Sequence, residues 1–234
     1  MHSVLRPMEP AHVLGPLTTD HVQSALETHV TLYGVFHRNY AALSEFELAV
    51  ESNVDGESAD WTADDALGGS FVEYLRHLQN FVDAQTLLAE YTSTLESEWF
   101  DDEQAERYRE LAADLDVVAM AAFLSELPAC LIAVGRDSFV RSATADDDGH
   151  SGVNDAGCLL SCDRLMNWNG WSDDARRVLA GFDEAVLLSS AVESYIAAQS
   201  TLHAQLFELL EEQLAETDID ERFLSSADVW AVTD

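Results

Sequence analysis

Lysine is absent from this 234-residue chain: the 11 basic residues are all arginine, set against 44 aspartates and glutamates. Without lysine there can be no Gly-x-x-x-x-Gly-Lys phosphate loop, and no Gly-x-Gly-x-x-Gly run occurs either, so nucleotide cofactors have no support. The formal charge of -33 would make the compact state repel itself at ordinary ionic strength. Near 1 M salt the screening length falls to about 3 Å and that repulsion becomes tolerable. The composition is that of a salt-in halophile, haloarchaeal in character, and it predicts a cytoplasmic protein. It speaks of the solvent more than of a partner. The same salt screens repulsion from phosphate and removes the gain from counterion release, so charge does not exclude nucleic acid, and no motif supports it.

Cysteine is scarce too. Cys130, Cys158 and Cys162 are too few and too unevenly spaced for a disulfide framework, which fits a reducing compartment. Only four prolines occur, three of them (Pro7, Pro10 and Pro16) before residue 17. With no Pro-, Gly- or Ser-rich linker and 47% apolar residues, one sizeable core in one domain is expected. Residues 1–19 read as an extended arm, 20–216 as the domain and 217–234 as a tail. The arm has no continuous apolar run and does not read as a secretory signal. The nearly all-apolar stretch 117–134 is just long enough for a membrane span. Ser125, Glu126 and Pro128 near its middle favour a helix buried on all sides instead.

Helical periodicity dominates what is present. Val22, Leu26, His29, Tyr33, Phe36, Tyr40, Leu43, Glu47 and Val50 follow alternating steps of four and three. Phe71, Tyr74, Leu78, Phe81, Gln85, Leu88, Thr92, Leu95 and Trp99 do the same. So do Leu188, Val192, Tyr195, Gln199, Leu202, Leu206 and Leu209. Each is a packing seam. Between them lie a short acidic helix near 101–111 and an apolar helix over 114–134, read as the central member, which Pro128 should kink or end. Short β-like runs at 138–143 and 157–162, separated by Asp146, Asp147, Asp148 and Gly149, predict a hairpin over about 138–162 with an acidic loop. Asp163 and Ser172 are the expected caps of two short helices. The fold class is therefore mainly α: an antiparallel bundle of about four long helices with short helices and one β-hairpin.

The chemistry-bearing residues assemble into no complete motif. His21, His29 and His37 recur every eight residues, which turns a helix about 80° beyond whole turns, so along one helix their rings diverge. Di-metal bundles need Glu-x-x-His pairs on facing helices, and no such pair falls on the long helical segments. His29 reads as a hydrogen-bonded core residue. Cys158, Cys162 and His150 supply one close pair where structural zinc wants two. Asp146 to Asp148 lack the spaced ligands of a calcium loop. No Gly-x-Ser-x-Gly elbow is present. No cofactor and no metal is implied. Trp168 and Trp171, bracketing Asn169 and Gly170 between two capped helices, read as a wedge between elements, with an exposed partner patch as the other reading.

The run 163–179, Asp-Arg-Leu-Met-Asn-Trp-Asn-Gly-Trp-Ser-Asp-Asp-Ala-Arg-Arg-Val-Leu, followed by the helix with Tyr195, and the earlier triplet Asn80, Phe81 and Val82, resemble a group of microbial helical proteins related to HEPN domains. The similarity would span most of residues 20–215. It implies a four- or five-helix bundle, often dimeric, whose active members are metal-independent ribonucleases with Arg and His on one helix meeting at the dimer cleft. Arginine would hold the phosphate while histidine moves a proton. The matching stretch here is Leu127 to Ala133, where Pro128, Ala129 and Ala133 stand in place of Arg, Asn and His. Arg6 and His12 have the required spacing but lie in the Pro-broken arm. The expectation is a binding protein that has lost that nuclease chemistry, working as a homodimer or on a protein partner, with Asn80, Trp168, Trp171 and Tyr195 as candidate partner or packing residues. The alternatives are a ribonuclease or other hydrolase built on dispersed carboxylates with His29, His77 or His203, and a chaperone-like protein that holds a client peptide.

Overall fold

A computed structural model describes residues 19–54, 66–135, 139–140, 159–182 and 184–215. The elements run α1 (Thr19–Val54), α2 (Ala66–Trp99), α3 (Asp102–Asp114), α4 (Val117–Val134), β1 (Phe139–Val140), β2 (Leu159–Ser161), α5 (Cys162–Met166), α6 (Asp173–Leu179), β3 (Ala185–Leu187) and α7 (Leu188–Ala215). The fold is mainly α, with four long helices as expected.

The seams drive the packing. On α1 Val22, His29, Phe36, Leu43 and Glu47 are buried; on α2 Tyr74, Leu78, Phe81, Gln85, Leu88, Leu95 and Trp99 are. The two helices run antiparallel: the Tyr91 hydroxyl donates to the Ala25 carbonyl at 3.1 Å, Phe36 meets Phe81 at 5.3 Å between ring centres, and the Tyr74 hydroxyl donates to Glu47 Oε1 at 3.4 Å. Helix α7 is antiparallel to α1, with His203, Ser200 and Tyr195 set against His29, Tyr33 and Phe36. A capping box at Asp101 and Gln104 starts α3. The Gln104 amide also donates to the Leu209 carbonyl at 3.2 Å, tying α3 to α7.

Three expectations need correction. The helix predicted over 114–134 is broken at Asp116, whose φ of 51° turns the chain between α3 and α4. Helix α4 runs through Pro128 to Val134 and is not ended by it. Nor is α4 enclosed on all sides: Ala119, Phe123, Leu124, Leu127, Cys130 and Leu131 are buried, whereas Val118 is 63% and Ile132 68% exposed. By length and composition α4 is apolar enough to cross a membrane, but one side of it fills the core of this bundle.

The expected hairpin is present as β1 and β2, pairing Phe139 with Leu160 and Val140 with Leu159. A third strand extends it. β3 pairs antiparallel with β2, with Leu160 opposite Val186, and leads directly into α7. Helix α5 has Ser161 rather than Asp163 at its N-cap, without a side-chain bond; Ser172 caps α6 as predicted, its hydroxyl accepting from the Ala175 N–H at 3.2 Å.

Candidate functional site: a histidine–tyrosine cluster and the exposed side of α4

The seam positions of α1 carry polar rings where α7 crosses. His29 Nε2 and His203 Nδ1 are 2.9 Å apart. Their ring planes lie within 13° and their centres 5.0 Å apart, so the rings meet edge to edge, nearly coplanar, in a direct N–H···N hydrogen bond. Tyr33 stacks flat on the other side of the system, 3.8 Å from His203 and within 5° of parallel. Its hydroxyl donates to Ser200 Oγ at 2.9 Å, and Ser200 in turn donates to the Ile196 carbonyl at 2.9 Å. His37 packs edge-on against Tyr33 at 4.4 Å, and Phe207 closes the end over His29 and His203.

Burial sets the protonation states. His29, 2% exposed, is lowered to about 4 by desolvation. His203 is lowered to about 3, by desolvation first and then by His29 and His37. Burial also lowers His37 and raises Tyr33, the latter against the Ser200 bond. Both partners of the histidine pair are thus neutral at pH 7, sharing one hydrogen. His29 Nδ1 and His37 Nε2 are buried without a hydrogen-bond partner. An orphaned lone pair is better tolerated than an orphaned N–H, which favours the tautomer in which His29 Nε2–H donates to His203.

This arrangement fastens α1 to α7. A proton-transfer residue works best with a pKa near the working pH and a path to its substrate; His29 has neither. The structure brings together His29 and His203 of the three histidines named for the hydrolase reading. His77 stands apart, stacked on Phe46 at 5.1 Å, about 25 Å along α1 from His29. Its Nε2 is 3.2 Å from Arg76, and its pKa is lowered by burial and by Arg76, against Glu73. Arg38, next to His37 in sequence, is exposed and donates to the Gly34 carbonyl. Among the described residues no group of three or more His, Cys, Asp or Glu could hold a metal ion.

The tryptophan motif is a docking joint. Trp171 is buried, its Nε1–H donating to the Leu165 carbonyl at 2.7 Å and its ring stacked on Phe123 of α4 at 5.6 Å. Trp168 stands perpendicular to it at 5.0 Å. Glu126 of α4 accepts from the Ser172 N–H at 2.8 Å, holding the start of α6. Trp171 therefore packs, as does Tyr195, which is 2% exposed and accepts from the Gln199 amide at 2.6 Å. Neither offers a partner surface; Trp168 is half-buried and Asn80 is exposed on α2. Arg6, His12, Asp146 to Asp148, His150 and Cys158 lie outside the described residues, and the side chain of His21 is not described.

What the sequence reading missed is a surface. On α4 the residues Val118, Ser125, Ala129, Ile132 and Ala133 are exposed, with Ala122 half-buried between them. At 100° per residue they cover an arc about 100° wide, the width of stripe a helix normally buries against a neighbour. Not one is charged, in a chain of charge -33. Comparison of the chain with protein families, with curated proteins and with solved structures finds no match.

Proposed function

We propose that this chain is a non-catalytic helical binding protein of a halophilic cytosol, HEPN-like with the ribonuclease pattern lost, and that it engages its partner through the uncharged side of α4. The observation that carries this reading is the exposure of Val118 and Ile132 near opposite ends of α4, on a side of it that holds no carboxylate. Exposed apolar faces flanked by polar surface mark interaction sites. The stretch matched to the ribonuclease pattern, Leu127 to Ala133, lies on the same helix and divides between its two sides. Leu127, Pro128, Cys130 and Leu131 fill the core, while Ala129, Ile132 and Ala133 face out. The histidine cluster supports the non-catalytic half of the reading, because His29 is buried and bonded to His203, with its pKa lowered to about 4.

The test uses the full chain in molar KCl. Purified protein should leave RNA intact, and the complex it forms, with itself or with another protein of its native cytosol, should be lost when Ala129 is changed to Arg. RNA cleavage without added metal that disappears in His203→Ala would overturn the non-catalytic reading. A complex indifferent to Ala129→Arg would overturn the assignment of the surface.

A further inference from the structure

We infer that the joint between α1 and α7 is an acid-operated clasp: protonation of the His29–His203 pair parts the two helices locally, while the helices themselves and the other contacts of each stay formed. The geometry of the two imidazoles carries this. His29 Nε2 and His203 Nδ1 face each other at 2.9 Å and share one hydrogen. If a second proton keeps that N–H···N bond, then whichever ring is charged, His29 must carry hydrogen on Nδ1. That atom is buried and has no hydrogen-bond partner, so an N–H there would be a donor without an acceptor in a dry seam. If the proton instead goes to His203 Nδ1 opposite a protonated His29 Nε2, two N–H groups meet head on and the bond is lost. Parting the helices lets water reach both rings, so proton uptake and opening are one event.

The surrounding bonds let this joint open by itself. The His29–His203 and Tyr33–Ser200 hydrogen bonds cross it, and Tyr33 stacks on His203 at 3.8 Å, so loss of the imidazole pair takes the ring stack with it. Each helix is also held by bonds that do not cross the joint. The Tyr91 hydroxyl donates to the Ala25 carbonyl at 3.1 Å and ties α1 to α2. The Gln104 amide donates to the Leu209 carbonyl at 3.2 Å and Arg107 pairs with Glu212 at 2.8 Å, tying α7 to α3. Among the described residues, the titratable groups facing the pair are Tyr33 and His37 of α1 and Tyr91 of α2, with Phe207 on the α7 side. None of them is an anion that would neutralise an imidazolium, and His37, when charged, opposes one on His203. Glu27 and Glu208 of the two helices are exposed, Glu27 accepting from Gln23, and neither acts on the pair.

An imidazole freed into water titrates near 6.5, so opening is favoured as pH falls below that value, about tenfold per pH unit for each ring and about a hundredfold for the pair. Spin-label distances in the full chain in molar KCl test this. The labels go on Glu27→Cys of α1 and Glu208→Cys of α7, both exposed, in a Cys158→Ser background; Cys130 and Cys162 are buried. We expect one short distance at pH 7.5 and a second, longer population that emerges in acid, its ratio to the first growing about a hundredfold per unit between pH 6 and 5. Helical circular dichroism should hold over that range, and so should the α1–α2 distance between labels on Glu27→Cys and Glu90→Cys. His29→Phe/His203→Leu should keep the short distance throughout. If that variant does not fold, His203→Gln, with one titrating ring left in the pair, should reduce the growth to about tenfold per unit. A single distance in the native chain down to the pH at which helix is lost overturns the inference, as does an equal long population in the double variant, an unchanged slope in His203→Gln, or an α1–α2 distance that widens in step.

Discussion

Acid should weaken this fold through its desolvated histidine pair. His29 is about 4 when folded, held there by desolvation, and about 6.5 when the chain is unfolded and hydrated. Between those values the unfolded chain binds a proton that the folded chain refuses, so the stability present above pH 6.5 is lost as pH falls toward 4. His29 contributes a slope of about 1.4 kcal/mol per pH unit and a loss of about 3 kcal/mol over its interval, and His203, lowered to about 3, adds a similar slope over the same range. Protonation of the 44 carboxylates acts in the opposite direction, by relieving self-repulsion, but it begins only near pH 5. In molar salt that repulsion is already screened over about 3 Å. The histidine effect therefore dominates from pH 6.5 to about 5, where the two rings together amount to about 4 kcal/mol.

Denaturant unfolding in molar KCl at a series of pH values measures it, with the double variant His29→Phe/His203→Leu as reference. The variant removes both titrating rings and should lose most of the slope. At pH 7.5 the single change His29→Phe should cost about 1–3 kcal/mol, because His203 Nδ1 is left without its partner, and the double change should cost less than the two singles combined. Parallel stability curves for the native chain and the double variant from pH 6.5 to 5 would refute the reasoning.

Three further outcomes are expected at the α4–α6 joint. A Cβ added at Gly170 would come to 2.6 Å from Trp168 Cε2, so Gly170→Ala should displace the indole, lower stability by about 1–3 kcal/mol and shift tryptophan emission; a neutral result would mean that Trp168 can move without loss. Glu126→Ala should cost about 1–3 kcal/mol by taking the acceptor from the Ser172 N–H, and the amides of α6 should then exchange hydrogen faster than those of α1. Burial pushes the Cys130 thiol up to about 12, so its labelling by a thiol reagent, followed by peptide mapping at pH 8, should proceed only as fast as the chain opens. Rapid labelling at that site would contradict the burial.

The long helices were legible because spacing reports burial whatever the side chain. His29, Glu47 and Gln85 sit at seam positions and are buried with their apolar neighbours, as the alternation of four and three requires. The same logic fails on α4. A helix apolar all round carries no polar stripe to mark which side meets water, so 114–134 read as enclosed although one side is open. β3 escaped notice because three residues, Ala185 to Leu187, run straight into an apolar helix start, and nothing local separates a short strand from a helix's first turn. Ser172 was legible since a cap is a local bond; Ser161 was not, since it caps by position alone.

The histidine pair shows where local periodicity stops. Eight-residue spacing turns His37 about 80° from His29 around α1, and that offset lets the two rings approach the Tyr33–His203 stack from different sides. The convergence comes from α7, 174 residues away along the chain, and His203 occupies a flank between the seam residues Leu202 and Leu206. Whether a flank residue of one helix meets a seam residue of another depends on their relative rotation and axial offset, which bulk packing of Phe36, Tyr195, Leu202 and Leu206 sets first. A hydrogen bond 2.9 Å long tolerates little error in either. The apolar seams thus bring α1 and α7 together, and the imidazole pair selects one offset between them: a slip of one turn, about 5.4 Å, would break the His29–His203 bond and leave the buried His29 ring without it.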